Sequence, residues 1–444
     1  MSFNVTKSTQ FKVNEIVLVT KAGPIEISTM FEEINIFDSL FLPVMSGTIL
    51  MNDSLGLSGK LLFDGSESIL IDVSKDANSE IGHFKKAFRI YKQSDRTNSN
   101  LTNESYVLHF VSDELMYSDQ QRINQSFENT YSEIVKKILI NYLKVPLNNL
   151  GGIYDSTSGI RQIVIPNLRP LEAIEWCAKR SVDFSQSPNF MFYQNLFGYN
   201  FASLSTLLTQ PEILDINFPL KNQEGNNPIS EIGGARNFEV LTQSDNVEKT
   251  RSGVNAAKFT GFDLMTGTIA NKNVTFEDNY NKMKHGNDNP NISILKNRDG
   301  LTNINAFNSK QTLSVFGAAK KLSAYIKTND AASLSKENNT EDYILQRKSI
   351  ISNLTSKRIK VVMPGNFQLT SGLNVNIKAP NFAKKSKGED SDDPGLSGKY
   401  LIIASRQIIG FDKHETIMEV ASTSTNNDFI PVSSEEQTRD ILEY

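Results

Sequence analysis

The chain is predicted to be α+β but mainly β, and multi-domain, on three observations. Its 444 residues exceed what one hydrophobic core covers, since single cores stop growing near about 250–300 residues. Short alternating apolar runs fill residues 1–125 and return after 356; strands at that spacing, punctuated by Gly, Asn, Asp and Ser, fit a barrel or sandwich. Between the two β-rich stretches the apolar period changes to that of helices. Composition agrees, because 39% hydrophobic and 22% charged residues with a net charge of −4 suit a folded chain.

The strands come first along the chain. Runs 13–21, 23–28, 46–53, 67–74, 86–94 and 105–112 read as strands. In the last of these Tyr106, Leu108 and Phe110 share one side and Val107, His109 and Val111 the other, so both faces are expected to be covered. Residues 1–125 are therefore expected to form a first β domain. From 126, SFENTYSEIVKKILINYLKV puts Tyr131, Ile134, Val135, Ile138, Leu139 and Tyr142 on one helical stripe, with Asn129 the expected N-cap and Pro146 the stop. RPLEAIEWCAKRSV predicts a second helix, with Pro170 in its first turn and Leu171, Ile174 and Ala178 inward. NFMFYQNLFGYNFASLSTLL predicts a hairpin around Asn195 to Gly198 and then a turn of helix, which makes 126–210 an α+β domain.

The signal weakens beyond 211, with strand-like pieces at 237–243 and 256–269 and a polar insertion or small domain over 271–344. A helix is expected over 341–354, with Ile344, Ile351 and Leu354 on one face. Strands return at 357–365, 373–380, 398–410 and 414–423. In the second of these, Leu373, Val375 and Ile377 are expected inward and Asn374, Asn376 and Lys378 outward. A frayed tail covers 426–444. An internal echo runs through this order: ESILIDVSK, KAFRIYKQS and ESYVLHFVS are followed, far downstream, by LNVNIKAP, KYLIIASRQ and HETIMEVAS. A duplicated β domain is one reading; common β patterning is the other.

Charge and motif chemistry narrow the function. The 46 Lys and Arg against 50 Asp and Glu disfavour a phosphate-gripping nucleic-acid binder. A lone cysteine, Cys177, excludes an intramolecular disulfide framework and a multi-Cys zinc site. The start of the chain lacks an apolar h-region and no run of 18 apolar residues occurs, so neither a signal peptide nor a membrane span is expected. GLSGK at 56–60 and 395–399 lacks the spacing and the Ser or Thr of a phosphate loop and reads as Gly-rich hairpin turns. The acidic loop 387–395, with Glu389, Asp390, Asp392 and Asp393, departs from a calcium loop at Pro394 and Leu401. Cys177, between Trp176 and Ala178 on a helix, reads as a buried structural thiol. His83, His109, His285 and His414 are too far apart for a local metal motif; His109 falls within a strand and His414 opens one. The pairs Glu32/Glu33, Glu172/Glu175 and Glu231/Glu239 carry no spacing that defines a hydrolase cleft. No catalytic, cofactor-binding or metal residue is assigned.

In residues 25–57, Phe37-Asp38-Ser39, Pro43, Ser46-Gly47 and Asn52-Asp53-Ser54 resemble the opening domain of the baseplate central hub proteins of contractile-tailed (T-even-like) bacteriophages. The resemblance resumes at 165–181 and 189–208. It is strongest at 361–377, where Gly365-Asn366-Phe367-x-Leu369-Thr370-x-Gly372 is similar to the family's strand-turn-strand. In order along the chain it spans 1–425. The resemblance implies two tail-tube-like β-barrel domains plus smaller α/β domains, the second barrel being discontinuous over 211–270 and 345–425. It also implies a homotrimeric ring, a structural virion protein and not an enzyme, adapting a sixfold tail tube to a threefold cell-puncturing spike.

Its implied partners are a spike of OB-domain type and the tail tube or tube-initiator protein. DNA would only pass through the lumen, with no membrane and no cofactor, in a baseplate assembled in the host cytoplasm. The motif residues with an implied structural role are Phe37, Asp38, Ser39, Pro43, Gly47, Asp53, Gly365, Asn366, Phe367 and Gly372. Locally, Gly365 and Gly372 read as positive-φ positions of a hairpin, Asn366 as a cap of that turn, and Phe37, Leu40, Phe41 and Leu42 as an apolar cluster in the core or at a subunit contact. Two other readings stay open: a cell-wall hydrolase of the same tail, or a spike or secretion-system hub, which would carry its own OB domain and needle.

Overall fold

The computed structural model describes residues 11–60, 64–74, 82–98, 103–146, 150–217, 234–243, 245–263, 269–290, 309–316, 340–379, 393 and 395–426. A first β array contains β1 (Lys12–Thr20), β2 (Gly23–Glu26), β3 (Phe31–Ser39), β4 (Ser46–Asp53), the helical turn α1 (Leu57–Lys60), β5 (Ser68–Ser74), β6 (His83–Asn98) and β7 (Glu104–Val111). Period-two alternation sends Ile16, Leu18, Ile49, Ile69, Ile71, Phe88, Leu108 and Phe110 into one core. The other face of β7 is only partly covered: Val107 and His109 are half-buried, His109 against the Tyr91 ring and 2.8 Å from Ser94 Oγ. Two expectations need correction here. The strand β3 has no counterpart in the sequence reading, because Glu32-Glu33 and a bulge between Phe31 and Glu33 break the alternation. GLSGK at 56–60 forms the helical turn α1, not a hairpin turn.

An α+β module follows, with α2 (Glu114–Asp119), β8 (Ser126–Asn129), α3 (Tyr131–Asn141), β9 (Leu150–Tyr154), β10 (Arg161–Val164), α4 (Pro170–Arg180), β11 (Phe190–Asn195), β12 (Gly198–Ser203) and α5 (Leu204–Thr209). The α3 stripe packs Tyr131, Ile134, Val135, Ile138 and Leu139 on Ile174 and Cys177 of α4. Its N-cap is Thr130, whose Oγ1 accepts from the Glu133 N–H at 3.4 Å. Asn129 ends β8 instead and accepts from the Thr130 N–H at 2.8 Å. The helix stops at Asn141, ahead of Pro146. Pro170 opens α4, and Glu172 accepts from the Arg169 N–H at 3.1 Å, the half of a capping box that an Arg N-cap allows.

The rest of the chain contributes β13 (Glu212–Asn217), β14 (Asn237–Thr242), α6 (Asn246–Ser252), β15 (Ala256–Asp263), β16 (Ile269–Thr275), α7 (Phe276–Tyr280), β17 (Asn289–Pro290), β18 (Lys310–Phe316), α8 (Thr340–Leu354), β19 (Arg358–Pro364), β20 (Asn374–Lys378), β21 (Gly398–Gly410), β22 (His414–Ala421) and β23 (Ser424–Thr425). Sheet β16-β15-β18 and helices α6 to α8 form an insertion between β14 and β19. In α8 the buried face is Leu345, Gln346, Ser349, Ile350, Asn353 and Leu354, while Ile344 and Ile351 are half-buried. Ser349 is buried at a cost offset by its hydroxyl, which donates to the Val254 carbonyl at 2.9 Å. The expected face is thus offset and not reversed, Leu354 being fully buried, because half of the buried face is polar.

Topology is where the echo becomes physical. The first array orders its strands β3-β4-β7-β6-β5-β1, with β2 beyond, and the second orders them β14-β19-β22-β21-β20-β13. Lettered A to F in chain order, with β2 outside the count, both arrays read B-C-F-E-D-A. They differ at strand A, which is antiparallel to D in the first array and parallel in the second. Strand β3 of the first array pairs antiparallel with β21 of the second, from Ser39↔Ala404 to Glu33↔Gly410, so one 13-stranded sheet runs through both. Among the described residues neither ladder closes on itself. Each array keeps its own core, the second built on Ile359, Val361, Val375, Ile377, Ile402, Met418 and Val420.

Candidate functional site

The motif residues meet where the two arrays join. Asp38 lies on β3 opposite Ser405 of β21 and is 3% exposed. Its Oδ2 accepts from Ser405 Oγ at 2.6 Å and Thr370 Oγ1 at 3.0 Å, and its Oδ1 from the Ser371 N–H at 2.8 Å. Burial pushes the carboxyl above its ordinary range, while these donors oppose the shift.

Thr370 and Ser371 belong to the turn between β19 and β20, which three parts of the molecule grip at once. From the α+β module, Asn195 Nδ2 donates to the Ser371 carbonyl at 3.0 Å and the Leu196 N–H to Thr370 Oγ1 at 3.2 Å. From the second array, Gln407 Nε2 donates to the Asn366 and Leu369 carbonyls at 3.2 and 3.1 Å. Gln407 Oε1 then accepts from Thr416 Oγ1 at 2.7 Å and lies 3.0 Å from His414 Nε2, which makes Nε2 the protonated nitrogen. From the turn itself, Phe367 crosses into the core of the first array, stacked on Phe84 at 5.5 Å and 4.5 Å from the His414 ring.

The glycines have different reasons. Gly372 has φ +88°, and a Cβ there would stand 2.0 Å from Tyr193 Oη. Gly365 is not among the positive-φ residues. Its missing side chain instead admits the His414 ring, 2.1 Å from where a Cβ would be. The positive-φ reading therefore holds for Gly372 and is corrected for Gly365. Asn366 caps the turn as expected, its Oδ1 accepting from the Gln368 N–H at 3.0 Å.

The other motif residues support the first array and its rim. A Cβ on Gly47 would stand 2.3 Å from both the Asn35 carbonyl and the Phe110 ring. Asp53 is buried and accepts from the Leu55 N–H at 3.0 Å, shaping the exit of β4. Ser39 Oγ donates to the Ile403 carbonyl at 3.3 Å. Pro43 is half-buried in the β3–β4 turn. Phe37 lies half-buried with the Arg406 guanidinium 5.6 Å over its ring. The apolar cluster divides: Leu40 packs on Met191, Tyr193, Leu401 and Ile403, whereas Phe41 and Leu42 are 40% and 52% exposed. As parts of this joint, Gln407, His414, Thr416, Ser405, Tyr193 and Asn195 escaped the sequence reading, which placed His414 at a strand start and Asn195 at a hairpin turn. A signal for the last existed: Gln194-Asn195 is a polar pair inside an aromatic strand, and both are buried, Gln194 Oε1 accepting from the Met45 N–H and Ser112 Oγ at 2.9 and 2.6 Å.

Most polar groups of this arrangement are used in packing, although the buried Tyr193 Oη has no hydrogen-bond partner among the described residues. Burial pushes the Cys177 thiol up to about 12, far from a reactive thiolate. Among the described residues no three His, Cys, Asp or Glu gather to hold a metal, and no helix is long and apolar enough to cross a membrane. Residues 387–392 and Pro394 of the acidic loop, Glu231, and the tail beyond 426 lie outside the described residues.

Neither a protein-family profile nor a curated protein matches the chain. Solved structures do. The 43 kDa tail protein of prophage MuSo2 from Shewanella oneidensis superposes with a TM-score of 0.50 at 11% identity, over 92% of this chain and 98% of that one. A tail protein from Neisseria meningitidis MC58 gives 0.49 at 11%, over 92% and 96%. Prophage tail protein gp18 from Listeria monocytogenes EGD-e gives 0.44 at 10%, over 97% and 100%. At such identity the likeness is one of fold: this chain shares the fold of the MuSo2 tail protein.

Proposed function

We propose that the chain is a structural hub of a phage tail baseplate, a homotrimer in which six similar β arrays form a ring. The observation that supports it above all is the shared strand order B-C-F-E-D-A of two arrays held side by side by β3 and β21. Three chains with two similar arrays each offer six quasi-equivalent positions, and closed rotational symmetry is the usual outcome of such repeated contacts. A sixfold tail tube or tube initiator would meet the arrays; a threefold spike of OB-domain type would meet whole chains. The insertion between β14 and β19 has no counterpart in the first array, so it gives each chain its threefold character. Of the motif residues, Asp38 and Phe367 bridge the two arrays, while Gly365, Asn366 and Gly372 shape the turn that carries this contact, as an adaptor requires. The net charge of −4 suits a lumen that passes DNA without gripping its phosphates. In this reading the chain resides in the virion tail, after assembly in the host cytoplasm.

Native mass spectrometry tests it. The expected result is a trimer, alone or with the spike protein. A chain that stays monomeric by itself and with both spike and tube proteins sinks the proposal. Peptidoglycan lysis abolished by a single Asp or Glu substitution would make it a hydrolase instead.

A further inference from the structure

One joint between the arrays is already made within the chain, and the repeat predicts its twin. Strand B of the first array, β3, pairs with the second half of strand E of the second array, β21, over Ala404–Gly410. The corresponding E and B strands are β6 and β14. The ladders align them. Arg89 is where β6 passes from β5 to β7, just as Leu401 is where β21 passes from β20 to β22. Each ladder is then bulged at the same step, between Ile90 and Lys92 and between Ile402 and Ala404. Residues 92–94 of β6 therefore match 404–406 of β21, and after a second bulge in β6 alone, between Ser94 and Thr97, Thr97 and Asn98 match Ile408 and Ile409. Likewise Ser46 pairs with Phe37 where Arg358 pairs with Thr242, so Asn237–Thr242 of β14 matches the β3 segment ending at Phe37.

The matched segments differ in cover. In the joint that exists, Ile34, Ile36, Gln407 and Ile409 are fully buried. On the β5 side of β6 the last backbone bond is from the Ile90 N–H to the Glu67 carbonyl at 3.0 Å, and beyond it no described strand borders 92–98. Strand β14 ends the sheet order, with only β19 beside it among the described residues. Tyr91, Val240 and Leu241 are 50%, 36% and 40% exposed. Such edges template pairing with another chain.

We infer that residues 92–98 of β6 in one subunit pair antiparallel with β14, Asn237–Thr242, of a second copy of this chain, reproducing between chains the β3–β21 joint. This rests on the hub reading and names its subunit contact. The register carried over sets Ser94 opposite Thr242 and Thr97 opposite Glu239, with Asp95 and Arg96 in the β6 bulge. Arg96, the last residue of that bulge, stands next to the position opposite Glu239, a charge complement of the kind the existing joint has in Arg406 of strand E and Glu33 of strand B, 3.7 Å apart. Arg96 and Glu239 now sit in surface ion pairs with Glu104 and Lys360, at 2.9 and 3.4 Å, which exchange at little cost. Each chain offers one edge of each kind, so the contact is head-to-tail and is completed only by a ring.

Cysteine pairing in the full chain tests this. Thr97→Cys and Glu239→Cys are made singly and together; Cys177 is buried and inert. Under mild oxidation a mixture of the two single variants should give a covalent dimer and neither variant alone should. The double variant should give a reducible covalent trimer. In the unmodified protein, amides of 92–98 should exchange at least about tenfold more slowly in the assembly than at dilutions that dissociate it. A trimer without the mixed disulfide and without that protection overturns this contact and leaves the hub reading intact. A chain that is monomeric with and without spike protein overturns both.

Discussion

The two β arrays have the same strand order and opposite edges. In the first, strand B is bordered on both sides, by β4 and β21, and its Ile34 and Ile36 are fully buried; in the second, strand B has β19 alone among the described residues and shows Val240 and Leu241 to solvent. Strand E reverses the contrast, β21 being bordered along its second half and β6 not. What makes a strand core or edge here is its place in the joint, not its place in the repeat. The joint itself is unlike a simple strand pairing, because the 365–372 turn of the second array inserts Phe367 into the core of the first.

Removing that insertion is the harshest way to break the comparison. Phe367→Ala should cost about 3–5 kcal/mol, read by urea denaturation, and hydrogen exchange should show both arrays loosening together. Phe88→Ala, a similar deletion within one array, should cost about as much but loosen the first array more than the second. If Phe367→Ala leaves protection of the first array unchanged, the arrays are not coupled through this turn. Gly372→Ala comes next, at about 3 kcal/mol, since strain at φ +88° adds to overlap with Tyr193. Gly23 has φ +120° and nothing near a built Cβ, so Gly23→Ala should show the backbone cost alone, about 1–2 kcal/mol.

The same contrast explains what was legible beforehand. Strands with clean alternation, β4, β5, β7 and β22, fall where the apolar pattern puts them. The pattern fails where a tertiary partner replaces hydrophobicity. Asn374 is expected outward yet is fully buried, because its amide donates to the Leu207 and Gln210 carbonyls at 2.7 and 2.9 Å, at the C-terminal end of α5. Strand β13, half exposed, and β16, with its polar NKNVT, carry too little alternation to announce themselves. At the joint, family resemblance pointed to Asp38, Gly365, Asn366, Phe367 and Gly372 but not to what they touch. Asp38 and Ser405 are 367 residues apart, and no local period records such a register.

Asp38 sharpens the comparison at a smaller scale. Asp38→Ala strands the buried Ser371 N–H and two hydroxyls, which should cost about 2–3 kcal/mol in thermal or urea unfolding. Asp215 of β13, paired with Lys378 at 3.2 Å, is 55% exposed, and Asp215→Ala should cost less than about 1 kcal/mol. Equal losses would mean that the joint is no tighter than the outer edge of the second array.

The smallest expected effect separates the arrays by acid. On β5, Asp72 is 9% exposed at its side chain. Burial pushes its carboxyl up, but Asn14 at 2.7 Å, Lys85 at 2.9 Å and His83 at 2.8 Å overcome that and hold it at about 2, below its ordinary 3.8. The corresponding position on β20 is Lys378, because Ser68 pairs with Arg89 as Asn374 pairs with Leu401. A carboxyl held low in the folded state is protonated first in the unfolded one. Its stabilisation is thus complete above about pH 4 and is lost as pH falls toward 2, by at most about 2 kcal/mol. Asp72→Asn should therefore lower the urea midpoint at pH 6 and flatten its fall between pH 4 and 2, with β5 and β6 amides the first to lose protection in the unmodified chain. Parallel midpoint curves for the two proteins across that window would show that this cluster holds the first array no more firmly than the exposed Asp215–Lys378 pair holds the second.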